Sequence, residues 1–148
     1  MKSNRFTGAI IGMLLVMTAF LLLYVIRMPR SGEVNVMLGF SLFSLLSVFY
    51  ISGIIQHWIP DSALQWRDLA YTVIHCLHGA FFAMVLRHFY QTAIHFRWLD
   101  RLLLVLMSGD LFLAGLAMTT LWVHRLPSIV LALHSVLLTS AVILTLRV

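Results

Sequence analysis

Hydrophobic positions along the chain fall into five long runs separated by short polar stretches. Each run is close to the roughly 20 residues that an α-helix needs to cross the hydrocarbon core of a bilayer. The expected spans are about 6–26, 34–55, 69–90, 102–123 and 126–146, which predicts an all-α polytopic membrane helix bundle of five transmembrane helices, a single transmembrane domain over residues 1–148. The breaks carry turn chemistry. Pro29 and Gly32 interrupt the charged stretch Arg27 to Glu33, Pro60, Asp61 and Ser62 mark a turn after span two, and His124, Arg125, Leu126 and Pro127 mark another before span five. Asp61 or Ser62 is placed to cap a short interfacial helix.

The first run is too long for a signal peptide and lacks the small-residue cleavage site of one, so it is expected to remain as a helix. Gly8 and Gly12 within it form a GxxxG spacing that permits close helix approach. Span two carries Ser41, Ser44 and Ser47, whose hydroxyls can bond back to their own helix or across to a neighbour. Trp58, Trp66, Trp98 and Trp122, with Tyr24, Tyr50, Tyr71 and Tyr90, all stand at expected span ends. Amphipathic rings collect at the headgroup level, so their register supports five spans.

Composition agrees with the pattern. Hydrophobic residues make up 61% of the 148 residues and charged residues 10%, well under the roughly 25% charged of a soluble domain. Five spans leave no room for a folded aqueous domain, so soluble chemistry belongs to a partner. The net charge of +5 would suggest nucleic acid in a soluble protein, but here the cations sit mainly in loops, where membrane orientation explains them; nucleic acid is discarded as a partner. Lys2, Arg5, Arg67 and Arg125 share one face, against Arg27, Arg30, Arg87, Arg97, Arg101 and Arg147 on the other. That balance favours an N-terminus outside the cytoplasm and a cytoplasmic C-terminus. The lone cysteine, Cys76, excludes an intramolecular disulfide and is expected to fill space as a small apolar side chain.

Candidate chemistry is concentrated in the later spans. Asp110 is the one acidic residue expected deep in the bilayer, where it needs a partner, a proton or water. His75, His78 and His134 are expected at depths from which side chains of neighbouring helices meet, with Asp110 a little deeper. Three readings of this cluster stay open. It is a hydrogen-bond network that fixes helix packing, or a ligand- or proton-responsive site in which a change of charge shifts that packing, or a b-type haem site with His78 and His134 as axial ligands. The first two need no cofactor. No G-x-S-x-G, phosphate-cradling glycine loop, H-E-x-x-H or C-x-x-C is present, and enzymatic activity is not expected.

Three stretches carry a likeness to a known family: GMLLVMTAFLLLYVIRMPRS at Gly12 to Ser31, SGIIQHWIPDS at Ser52 to Ser62, and LRHFYQTAIHFRWLDRLL at Leu86 to Leu103. Together they resemble the membrane region of bacterial seven-transmembrane receptors with diverse intracellular signalling modules. In that family an aromatic-Pro-Asp-Ser loop follows span two and an Arg-Leu-Asp-Arg-Leu-Leu-like motif opens span four. Arg97, Leu99, Asp100, Arg101, Leu102 and Leu103 resemble the second motif with Trp98 inserted. The resemblance implies a multi-pass protein of the bacterial inner membrane with a sensory role, its first and third loops facing the cytoplasm.

The chain departs from that pattern in having five spans and none of the flanking carbohydrate-binding-like, kinase or cyclase domains, which implies a truncated or split sensor that passes its signal to a separate protein, or a relative that has lost signalling. The combined expectation is a receptor-like module in which a small ligand or proton biases spans three to five near His75, His78, Asp110 and His134. The loop with His95, Arg97, Asp100 and Arg101 is expected to contact a membrane or cytoplasmic protein partner, and a homo-oligomer is compatible with the sequence. The alternatives are a haem-bearing electron-transfer anchor and a scaffold subunit of a membrane complex.

Overall fold

The computed structural model describes residues 2–27, 32–55, 57, 64–119 and 126–147. It contains α1 (Lys2–Arg27), α2 (Gly32–Ile51), α3 (Leu64–Phe89), the single-turn α4 (Thr92–His95), α5 (Arg97–Thr119) and α6 (Leu126–Arg147). All but α4 contain segments long and apolar enough to cross a membrane. The turn residues Pro29, Pro60, Asp61, Ser62, His124 and Arg125, and the rings of Trp58 and Trp122, lie outside the described residues.

α3 is the central helix, packing against α2 on one side and against α5 and α6 on the other. Its approach to α2 is close because Gly39 has no side chain: a Cβ there would collide with the Phe81 ring. Phe40 stacks on Phe82 and Phe43 on Phe81, with centroids 5.5 Å apart in each pair. α1 packs chiefly on α2. Thr18 and the fully buried Ser41 share a 2.6 Å hydrogen bond there, while the predicted GxxxG face meets nothing, Gly8 and Gly12 having open space where a Cβ would stand. On α5 the buried residues Leu99, Asp100, Leu103, Leu106, Asp110, Leu113, Ala114 and Ala117 recur every three or four positions, a single face turned to the core. Ala83, Leu86, Leu99, Leu103, Leu106, Leu137 and Leu144 form one apolar cluster along it, and Cys76, Leu113, Ala114, Ala117 and Val130 form a second.

Several helix boundaries differ from those the apolar runs predict, and two of them bear on the site. α2 stops at Ile51, and the chain turns through Gly53 in a left-handed conformation (φ 82°), which a residue without Cβ adopts without strain. α5 starts at Arg97, inside what the sequence marks as a polar loop. The physical reason is that hydropathy reports only which residues favour lipid. At Arg97 to Arg101 the helix places Arg97, Trp98 and Arg101 outward and Leu99 and Asp100 inward.

The link between α3 and α5 is a built elbow. Gln91 turns the chain at a left-handed φ of 45° before the α4 turn. Arg87 donates from Nε to Asp100 Oδ1 at 2.7 Å and from Nη2 to Oδ2 at 3.3 Å, a two-point contact from the end of α3 to the first turn of α5. The fully buried Thr92 hydroxyl donates to the same Oδ1 at 2.7 Å. Asp100 is therefore not an exposed loop residue, as the sequence suggests, but the acceptor that holds three elements together. Replacing Asp100 by Ala strands a guanidinium and a buried hydroxyl, and the expected loss is about 1–3 kcal/mol. Arg97→Ala and Arg101→Ala, both at exposed positions, should stay within about 0.5 kcal/mol of wild type; reversible unfolding in detergent or bicelles checks the contrast.

Candidate functional site

Four polar side chains expected from the sequence, His75, His78, Asp110 and His134, converge in the middle of the bundle. The geometry follows from Gly79. A Cβ on that residue would lie against Asp110 Oδ2 and 2.9 Å from His134 Cε1, so α3, α5 and α6 meet where α3 has no side chain. Asp110 is completely buried, and neither of its carboxyl oxygens has a hydrogen-bond partner among the described residues. Nor has His134 Nε2, also buried. The difference in depth estimated from the sequence disappears in the packing, which sets Asp110 and His134 at the same level.

Hydrogen-bond accounting fixes more of the site. His134 Nδ1 lies 3.0 Å from the Val130 carbonyl and His75 Nδ1 lies 2.9 Å from that of Tyr71. A carbonyl only accepts, so each Nδ1 carries hydrogen, and the Nε2 of a neutral ring is left as an acceptor. Asp110 and His134 Nε2 are thus buried side by side without a hydrogen bond to each other or to any other described group. Each such unsatisfied group costs about 1–3 kcal/mol, more where it is charged. A proton shared between the two, with a small shift that brings them to hydrogen-bond distance, or a donor brought by a ligand, would remove the deficit.

The histidines also belong to a ladder of rings. Tyr50 lies 5.4 Å from Tyr71, Tyr71 stacks 4.1 Å from His75, His75 stands 6.2 Å from His134, and His134 stacks 5.8 Å from His78. Phe40 of α2 closes it at 5.2 Å from His78. Two partners could not be chosen from the sequence. Ser44, midway in the serine series of α2, meets His78 Nε2 at 3.0 Å, and Tyr50 turns inward to donate to the Arg67 carbonyl at 3.0 Å. Gly79 itself was unmarked; its place next to His78 was the one available signal.

A haem held by His78 and His134 would need the Nε2 of each ring free to ligate iron. Axial histidines point their coordinating nitrogens at one iron from opposite sides of a porphyrin. Here His78 Nε2 is engaged by Ser44 at 3.0 Å. Among the described residues no three His, Cys, Asp or Glu side chains converge as a metal cage. Of the second group expected from the sequence, His95, Arg97 and Arg101 are exposed near the elbow, while Asp100 faces inward. His124 lies outside the described residues.

Gly79 gives a direct check on this geometry. Gly79→Ala forces Asp110 or His134 out of position and should cost about 1–3 kcal/mol, whereas Gly109→Ala, whose new methyl would meet only Leu133 at 3.9 Å, should be neutral or slightly stabilising through helix propensity. Thermal unfolding of the two variants in one detergent separates them.

No curated protein and no solved structure matches the chain. A protein family described as 7TM diverse intracellular signalling matches it over residues 3–148. With five candidate spans among its described residues, a polar core at the junction of α3, α5 and α6, and a family match over nearly its whole length, the chain is a multi-pass membrane protein that belongs to the 7TM diverse intracellular signalling family.

Proposed function

We propose that the chain works as a receptor module whose helix packing answers a stimulus taken up at the Asp110 and His134 junction, and that the answer leaves through the α3–α5 elbow to a separate protein. The observation that carries this reading is the donor deficit at Asp110 and His134, whose polar atoms are buried without partners where three helices meet. A packing network that served only as glue would be expected to satisfy its members. An unsatisfied one is poised between two states, because a proton or a donor-bearing ligand stabilises whichever packing accommodates it better.

Asp110 and Asp100 lie on the same buried face of α5, ten positions apart and so separated by about 15 Å of helix rise. A shift of α5 against α3 at the first therefore strains the Arg87–Asp100–Thr92 contacts at the second. Exposed His95, Arg97 and Arg101 border that elbow, and we assign them to the surface offered to the partner. We further propose that this face is cytoplasmic, in keeping with the larger number of cations in the loops and termini on that side. The inner bacterial membrane is the corresponding location, and no cofactor is required.

Spin labels at Phe89→Cys on α3 and Val105→Cys on α5, both exposed positions, introduced in a Cys76→Ala background, report the helix separation. Asp110→Asn and His134→Gln are expected to shift the distance distribution. A drop in thermal stability with an unchanged distribution would reduce the cluster to structural glue. The purified protein is expected to show no Soret band, and a band lost in both His78→Ala and His134→Ala would restore the haem alternative.

A further inference from the structure

We infer that the stimulus taken up at this junction is a proton, delivered to the Asp110 and His134 pair through His75 from the membrane face where α3 begins. The inference rests on the receptor reading above and specifies its ligand and its direction of entry.

The ligand follows from space and bonding capacity. The three helices meet so closely that a single methyl on Gly79 would collide with Asp110 and His134. A ligand of several atoms would have to part the helices there, whereas a proton needs no room. Before uptake Asp110 is a carboxylate and His134 a neutral ring with hydrogen on Nδ1, a net charge of −1. After uptake the pair is neutral overall, either as a carboxylic acid donating to His134 Nε2 or as an imidazolium donating to the carboxylate. One proton enters, one hydrogen bond forms and no electron moves.

The direction follows from what lies on either side of the pair. Between Asp110 and the elbow, the seam of α3, α5 and α6 is filled by Ala83, Leu86, Leu103, Leu106, Leu137 and Leu144, each no more than 6% exposed. None of these side chains can carry a proton, and the buried hydroxyl between them on α6, that of Ser140, donates to the Val136 carbonyl of its own helix. Towards the other face the seam is apolar as well, filled by Cys76, Leu113, Ala114, Ala117 and Val130, but beside it the ring ladder runs from His134 to His75 and then Tyr71, which is only partly buried and stands close to the polar residues Arg67 and Asp68.

His75 has its Nδ1 hydrogen committed to the Tyr71 carbonyl, so its Nε2 is the atom that receives and passes the proton. The 6.2 Å between the His75 and His134 ring centroids is spanned by a ring rotation or by one bridging water. The titratable and polar groups facing the pair are few. α3 contributes Tyr71, the buried Thr72, His75, Cys76 and His78, α2 contributes Ser44 beside His78, and α5 and α6 contribute Asp110 and His134 themselves. The nearest charges along α3 are Asp68 on one side and Arg87 on the other. Arg87 is tied to Asp100.

Infrared difference spectra of the full chain in vesicles, captured by a carboxyl-terminal tag so that the elbow face points outward, test both parts. Acidification is expected to produce the carbonyl band of a protonated carboxylic acid or the ring bands of an imidazolium, lost in Asp110→Asn and His134→Gln respectively. The change should follow a pH jump in the vesicle lumen, the side where α3 begins, ahead of a jump outside. His75→Gln should slow it by roughly tenfold or more, while Thr139→Ala at an exposed position of α6 leaves it unchanged. Helical content by circular dichroism confirms that each variant is folded.

The inference is overturned by the absence of any band that depends on Asp110 or His134, by an equal response to either face, or by an unaltered rate in folded His75→Gln. The receptor reading fails in a different way, through a pair that titrates while the α3–α5 label distance stays fixed. A label distance that moves with no titrating band keeps that reading and removes the proton.

Discussion

The structure depends on how closely α3 can be approached. It packs against α2, α5 and α6, and at two levels the contact is set by a missing side chain, Gly39 receiving the Phe81 ring and Gly79 receiving Asp110 and His134. Lipid supplies no hydrophobic pressure between helices, so association in the membrane relies on such close packing and on polar contacts across the interface. Here the two coincide: the point of closest approach is also where the chain has buried its one deep carboxylate.

The polar groups fall into satisfied and unsatisfied kinds, the latter including the buried hydroxyls of Ser47 and Thr72 as well as Asp110 and His134. At the elbow the buried polar groups are bonded to one another. Asp100 accepts from Arg87 and Thr92, and Tyr90 meets Thr145 of α6 at 3.0 Å. The same is true where α1 meets α2 through Thr18 and Ser41. In the middle of the bundle Asp110 and His134 lack donors among the described residues, although the surrounding rings of His75 and His78 are bonded to Tyr71 and Ser44. A bundle bonded at the elbow and at the α1–α2 contact, with its central carboxyl unpartnered, is held at those points and adjustable between them. Two packings differing by the small free energy of one buried hydrogen bond are within reach of such an arrangement.

Much of this was legible in the sequence because the bilayer imposes few solutions. Runs of about 20 apolar residues must be helices, since no other isolated segment satisfies its backbone in lipid. The same reasoning marks Asp110 and the buried histidines, because ionisable groups at that depth are costly enough to stand out one by one. The family likeness drawn from Gly12 to Ser31, Ser52 to Ser62 and Leu86 to Leu103 is matched by the family relationship over residues 3–148. Less legible were the helix ends. Hydropathy ends a span where charges begin, but α5 winds on through Arg97 to Arg101 by facing its cations outward.

The sequence by itself determined the number of spans, their apolar character, the family, and which residues would be expensive to bury. Only the tertiary structure decided who meets whom. Gly79 rather than another small residue lies under Asp110, Ser44 rather than Ser41 or Ser47 binds His78, and Asp100 belongs to Arg87 rather than to a loop. The reason is rotational. Hydropathy places a residue along the membrane normal to within a turn, whereas partnership depends on the angle about the helix axis and on the neighbour chosen, and an apolar background in which every face is acceptable to lipid leaves both unwritten.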